Sequence, residues 1–238
     1  MLFRSEASQW YYSPTEGGDT TGLHSYMPTV VASQTDDIDG GSVARRLEES
    51  SARRSFLTLG CPADRIDKLV NVLEHEFNAR VLDLTGVLMD EMKRLANERA
   101  VPPWDVLVAA DAQPGESRAG KGLAAVVKRA LPAVELAISE AITQEDDGGT
   151  PRPVLLTEAA PLARYGHAQV LRRLSDLAVA RGQAVWLMVP QLAANQGPLL
   201  DGVPVQTSPN QFVRFDHIWV DTKANSILKA ARAIGVFE

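Results

Sequence analysis

Residues 153–190, PVLLTEAAPLARYGHAQVLRRLSDLAVARGQAVWLMVP, restrict the fold more than any other stretch, because they read as strand, crossover helix and strand. Val154-Leu155-Leu156 and Val185-Trp186-Leu187-Met188-Val189 are nearly continuous apolar runs, the pattern of strands buried on both faces of a parallel sheet. Between them Leu162, Val170, Leu171, Leu174, Leu177 and Ala178 recur at helical spacing, with Arg172, Arg173 and Asp176 interleaved. Such a unit delivers the loops after both strands to one edge of the sheet, where open α/β folds place their ligands.

The same grammar extends upstream to Ser55. A strand over 56–59 leads into a helix over 62–78, whose apolar face is Ile66, Leu69, Val70, Leu73 and Phe77. A second strand is expected over 80–84, then a helix capped by Thr85 and running to about residue 97. Val106-Leu107-Val108-Ala109-Ala110, after Pro102-Pro103, reads as a helical turn. A helical pattern over 121–143 contains Pro132, which should kink or divide it. Glu145-Asp146-Asp147-Gly148-Gly149 reads as a solvent loop.

Beyond Pro190, Asp201-Gly202 between short apolar runs signals a hairpin. Phe212-Val213-Arg214-Phe215 and Ile218-Trp219-Val220 read as further short strands, and residues 226–234 as a terminal helix. The expected fold is α/β: a mainly parallel sheet of four or more strands with helices on both faces, plus a β-hairpin-rich C-terminal appendage. It forms a single domain over residues 52–238. Residues 1–51, rich in Ser, Thr, Gly and Asp and without a sustained apolar period, read as a flexible tail in which Trp10-Tyr11-Tyr12 can dock.

Charge and composition narrow the function. A formal net charge of −6 gives no general drive toward nucleic acid or an anionic membrane. Arg45, Arg46, Arg53 and Arg54 form a local basic cluster interrupted by Glu48 and Glu49, which reads as a solvated helix or linker with nucleic-acid contact as the alternative. A single cysteine excludes an internal disulfide, and no apolar run approaches the roughly 18 residues of a membrane span. The expectation is a cytoplasmic protein with Cys61 reduced. Cys61 falls at a strand end near a helix start, a setting that can lower a thiol pKa, but no base stands beside it and a packing role is preferred.

Motifs for catalysis are incomplete. Gly115-Glu116-Ser117-Arg118-Ala119-Gly120-Lys121-Gly122 has the glycines and lysine of a phosphate-binding loop, but Gly122 stands where a magnesium-ligating hydroxyl is required. Leu155-Leu156-Thr157-Glu158 has the outline of an acid-ended ATPase strand without its aspartate. His24, His75, His167 and His217 show no metal-ligand spacing, and no nucleophile elbow is present. No cofactor and no metal are expected, and no catalytic residue is assigned. Polar side chains gather instead in the loops of one sheet edge, at Glu158, Arg164, Tyr165, Asn195 and Gln196, the candidate ligand- or partner-binding residues.

The phrases LLTEAAPLARYGHAQVLRRLSDLA, AVWLMVP and GPLLDGVPVQTSPNQFVRF, with ARVLDLTGVLMDEM, WDVLVAADAQPGESR and KRALPAVE, resemble the C-terminal region of PglW-type serine/threonine kinases. Those kinases belong to the phage growth limitation, or BREX, antiphage systems of bacteria. The chain lacks a kinase Gly-rich loop, an Ala-x-Lys strand, a His-Arg-Asp loop and an Asp-Phe-Gly motif, so kinase activity does not carry over. What the resemblance implies is a non-catalytic interaction or regulatory module with a protein partner in a defence complex. On that resemblance it reads as a detached or truncated tail module, a gene fragment, or an independent small relative. The alternative is a nucleotide-binding or hydrolysing α/β domain with a degenerate phosphate loop.

Overall fold

The computed structural model describes residues 40–144, 152–176, 180–191 and 196–233, all within one compact unit. Five strands make one parallel sheet: β1 (Phe56–Pro62), β2 (Arg80–Asp83), β3 (Val154–Thr157), β4 (Val185–Gln191) and, after a hairpin, β7 (Phe212–Arg214). Their order is β2-β3-β4-β1-β7, so the first strand stands between the fourth and the last. β1 and β4 form the longest ladder, seven pairs from Phe56 opposite Val185 to Pro62 opposite Gln191. β3 lies between β2 and β4, with Leu155 opposite both Val81 and Trp186.

Period-two alternation sends side chains of each strand to two separate cores. One face carries Leu57, Leu59, Cys61, Leu155, Trp186, Met188, Val213 and Phe215. It is covered by α1 (Gly40–Arg53), α2 (Ile66–Phe77) and the final helix α8 (His217–Ala233). The other carries Phe56, Val154, Leu156, Val185, Leu187 and Val189 under α3 (Leu84–Asn97), α4 (Trp104–Asp111), α5 (Arg118–Thr143), α6 (Ala160–Arg164) and α7 (Gln169–Ser175). The α/β architecture read from the sequence is present, with every pairing in the main sheet parallel.

Several local readings change. The crossover from β3 to β4 is two short helices, because the chain turns at Tyr165 and Gly166, and Gly166 sits at φ +78° where a side chain would be strained. Leu177 and Ala178, counted in that helix, lie outside the described residues. Helix α5 runs unbroken through Pro132, which is exposed, so the carbonyl it strips of a donor lies on the solvent side. The N-cap of α3 is Asp83, whose carboxylate accepts from the Gly86 amide at 2.9 Å, and not Thr85. Ile218-Trp219-Val220 is the first turn of α8, opened by Asp216 Oδ1 accepting from the Trp219 amide at 2.6 Å. The hairpin forms as expected, Asp201 and Gly202 both taking positive φ, but its strands β5 (Leu199–Leu200) and β6 (Val203–Pro204) are two residues each. The expected hairpin-rich appendage is therefore minor.

Residues 40–51, read as part of the tail, form α1 and pack. Val43 and Leu47 are buried four residues apart, and one turn further Ser50 Oγ accepts the buried Trp186 indole N–H at 3.0 Å. Arg46 on the same helix donates to the Phe212 carbonyl at 2.9 Å, closing the outer edge of β7. Residues 1–39, with Trp10-Tyr11-Tyr12 and His24, and the loop 145–149 lie outside the described residues.

Two stability measurements follow. Leu155→Asp places an unpaired charge at a fully buried position between two strands, and should cost about 4 kcal/mol or more and abolish the cooperative melt. Ser50→Ala leaves the Trp186 N–H without its acceptor and should lower denaturant-measured stability by about 1–3 kcal/mol. An unchanged midpoint for Ser50→Ala would separate α1 from the folded unit.

Candidate functional site

The C-terminal ends of the parallel strands lie along one edge, as the sequence implies, and the chain after each strand leaves toward one of the two faces. β3 leads into α6, whose Leu162 is buried in the second core. β4 leads toward the hairpin, whose Leu200 joins that same core. β1 leads the other way, into α2 on the first face. Neighbouring strands whose continuations part to opposite faces define the crevice where open α/β sheets bind ligands. That rule points to the ends of β1 and β4, next to the β3/β4 edge read from the sequence.

Four of the five residues proposed from the sequence have a place among the described residues. Glu158 follows β3 directly; it is exposed, sits at φ +53°, and its carbonyl accepts the Thr85 hydroxyl at 2.6 Å. A left-handed conformation is uncommon for a side chain of this size, and the Thr85 bond helps to hold it. Arg164 ends α6 and pairs through Nε with Asp201 Oδ2 of the hairpin at 2.7 Å. Tyr165 donates its hydroxyl to Asp111 Oδ1 at the end of α4; burial, then that bond, hold the phenol protonated well above its ordinary range. Gln196 offers its backbone carbonyl to Arg214 Nη2 at 3.3 Å. Asn195 lies outside the described residues. Arg164 and Tyr165 thus tie α6 to the hairpin and to α4, while Gln196 connects to a different group of residues at β7.

That group escaped the sequence reading. Gly60 and Arg214 are paired across β1 and β7, and Gln191 ends β4. A Cβ on Gly60 would lie 2.8 Å from the Phe212 ring and 3.2 Å from Gln191 Oε1, so only glycine lets these side chains close over β1. An isolated glycine inside an apolar strand is the sequence signal for such an approach. The Arg214 guanidinium lies 5.5 Å from the Phe212 ring centroid.

The near-match to a phosphate loop has another explanation. Residues 112–117 join two helices, α4 and α5, and no strand precedes them. Ser117 caps α5 by accepting from the Gly120 amide at 3.0 Å, and a Cβ on Gly120 would come within 2.5 Å of the Pro114 carbonyl. The glycine serves a tight turn, and exposed Lys121 lies 3.7 Å from Glu116. A strand-to-helix phosphate cradle is not formed there.

Cys61 is fully buried, and burial pushes its thiol up to about 12, with Asp64 adding to the rise. Among the described residues there is no group of three or more His, Cys, Asp or Glu side chains that could hold a metal ion. Among them, too, no helix is long and apolar enough to cross a membrane.

Comparison with known proteins gives one informative likeness. Over 181 residues, 75% of the chain, it is 29% identical to the Probable kinase PglW of Streptomyces coelicolor, of which the match covers 12%. The chain is thus a PglW-related piece without the full kinase, spanning about an eighth of that protein's length. No protein-family model matches the chain, and no solved structure matches it.

The geometry makes three outcomes measurable. Cys61 should resist a disulfide-exchange reagent in the native protein and react only on unfolding; prompt native labelling would contradict its burial. Tyr165→Phe should cost about 1 kcal/mol by equilibrium denaturation, since the Asp111 carboxylate loses its donor. Arg164→Ala, breaking a partly exposed pair, should cost about 0.2–1 kcal/mol.

Proposed function

We propose that this chain is a non-catalytic interaction or regulatory module of a bacterial antiphage system, acting in the cytoplasm by contacting a protein partner in a defence complex. The observation that supports this most is the match of three quarters of the chain to a small part of a much larger kinase homologue. The sequence carries none of the kinase's nucleotide-holding motifs, so what the shared piece contributes is a folded surface rather than phosphoryl transfer. Loops at the C-terminal edge of the sheet supply that surface. Glu158 is exposed there, and Arg164 and Gln196 extend it beside the hairpin.

The reading is tested by direct binding of the purified chain to purified components of the phage growth limitation system, together with plaque counts in a bacterium carrying that system. Glu158→Ala, Arg164→Ala and Gln196→Ala should leave the fold intact, because Glu158 is exposed and the Arg164–Asp201 pair is partly exposed. Binding and phage restriction should fall. Wild-type restriction in all three variants would move the surface elsewhere. Calorimetry with ATP and magnesium should show no saturable heat; micromolar binding lost in Lys121→Ala would favour the nucleotide-binding alternative.

A further inference from the structure

We propose that the C-terminal end of β1, where Arg214 of β7 and Gln191 of β4 flank Gly60, is an oxyanion-binding site, built on Arg214 and taking a phosphate or carboxylate group of a small ligand. Arg214 ends β7 directly opposite Gly60, and its side chain is partly buried. Its Nε is buried and has no hydrogen-bond partner, and Nη2 reaches only the Gln196 carbonyl, at 3.3 Å. No carboxylate among the described residues pairs with it. A guanidinium whose Nε is withdrawn from water without a counterion carries a desolvation cost that a bound anion removes, and its planar fork matches an oxyanion with two parallel bonds.

Its surroundings fit the same ligand. Thr58 lies on the same face of β1 as Gly60, two residues earlier, and its hydroxyl is fully buried and also without a partner. Gln191 Oε1 lies beside Gly60, so an amide side chain borders the position from β4. Phe212 forms an apolar wall under the guanidinium. The position adjoins the sheet's switch point between β1 and β4, the part of a parallel α/β fold where a ligand can reach between two strand ends. Two unpartnered buried polar atoms on one face, one of them cationic, separate this place from every other group on the edge. Depressed basicity of Arg214, caused by burial, agrees with a cation that lacks its anion. The inference stands apart from the defence reading, since it concerns a small anion and not a protein partner.

The experiment follows the arginine Nε–H resonances of the full chain by nitrogen-15 NMR during titration with inorganic phosphate and, separately, with acetate, against sodium chloride at equal ionic strength. The Arg214 signal, assigned from its loss in Arg214→Met, should shift saturably with at least one oxyanion and not with chloride. Saturation by phosphate alone identifies a phosphoryl ligand, and by acetate alone a carboxylate. Followed at the backbone amides of Gly60 and Phe212, Arg214→Met should weaken binding about tenfold or more, the loss expected for a charge-assisted pair. Without added oxyanion the same variant should melt no lower than wild type, because a buried charge without a partner is removed. If it fails to fold, or melts far below wild type, an internal counterion holds Arg214 and the proposal is overturned. It is overturned equally if neither oxyanion shifts the wild-type Nε signal beyond chloride.

Discussion

The seven-pair ladder between β1 and β4 is the interaction on which the other contacts depend. Its alternating side chains start both cores: Phe56, Val185, Leu187 and Val189 on one side, Leu57, Leu59, Trp186 and Met188 on the other. Each fully buried side chain of this kind contributes about 1.5–3 kcal/mol, so the pair commits both helical layers at once. Trp186 extends the ladder's reach. Its ring meets Phe77 edge-on at 5.9 Å between centroids, and its indole N–H is held by Ser50, so one strand residue fixes the end of α2 and the end of α1.

The two edges of the sheet handle charge differently. At the N-terminal edge, where helices end and their carbonyls are left over, arginines near the starts of three strands cap them. Arg80 donates to Ala141 in the last turn of α5 at 3.3 Å, Arg152 to Asn78 at the end of α2 at 2.8 Å, and Arg181 to Leu174 in the last turn of α7. Each places a cation at the negative end of a helix dipole. A cluster of arginines that could be read as an anion-binding face is thereby engaged with the protein's own backbone. Arg214 stands at the opposite edge, beyond the reach of any helix C-terminus among those contacts, with a single carbonyl contact.

Much of the fold was legible because it is written locally. The apolar runs at 154–156 and 185–189, the Asp201-Gly202 turn and the amphipathic stretch at 66–77 each carry their own period or turn chemistry. What the sequence concealed depends on partners distant along the chain. Ile218-Trp219-Val220 has the composition of a strand, and only the Asp216 cap makes it a helix start. The stripe on α1 is two apolar residues and a serine, too sparse to register until Trp186 is seen above it. Strand order is the largest omission. β1 inserts between β4 and β7, a placement that adjacency in sequence does not give. The proposed residues Arg164 and Tyr165 were visible as polar loop residues, but their bonds to Asp201 and Asp111 come only with the fold.

The connection leaving β1 bears on what can bind at the end of that strand. In phosphate-binding α/β proteins a glycine-rich turn points bare amides and a helix N-terminus at the anion. Here β1 continues through Pro62, which has no amide hydrogen, into the short 3₁₀ turn Ala63–Arg65. Asp64 and Asp67 bring negative charge to the start of α2, and Arg65 is bound by Asp64 at 2.6 Å and by Asp221 at 3.1 Å. The positive end of the helix dipole is thus met by the chain's own carboxylates, and the nearest arginine is already paired. A triphosphate laid along this turn would face repulsion where such folds supply attraction. Attraction is left on the other side of β1, at the Arg214 guanidinium and the buried Thr58 hydroxyl, which favours a single compact oxyanion over a nucleotide's extended phosphate chain.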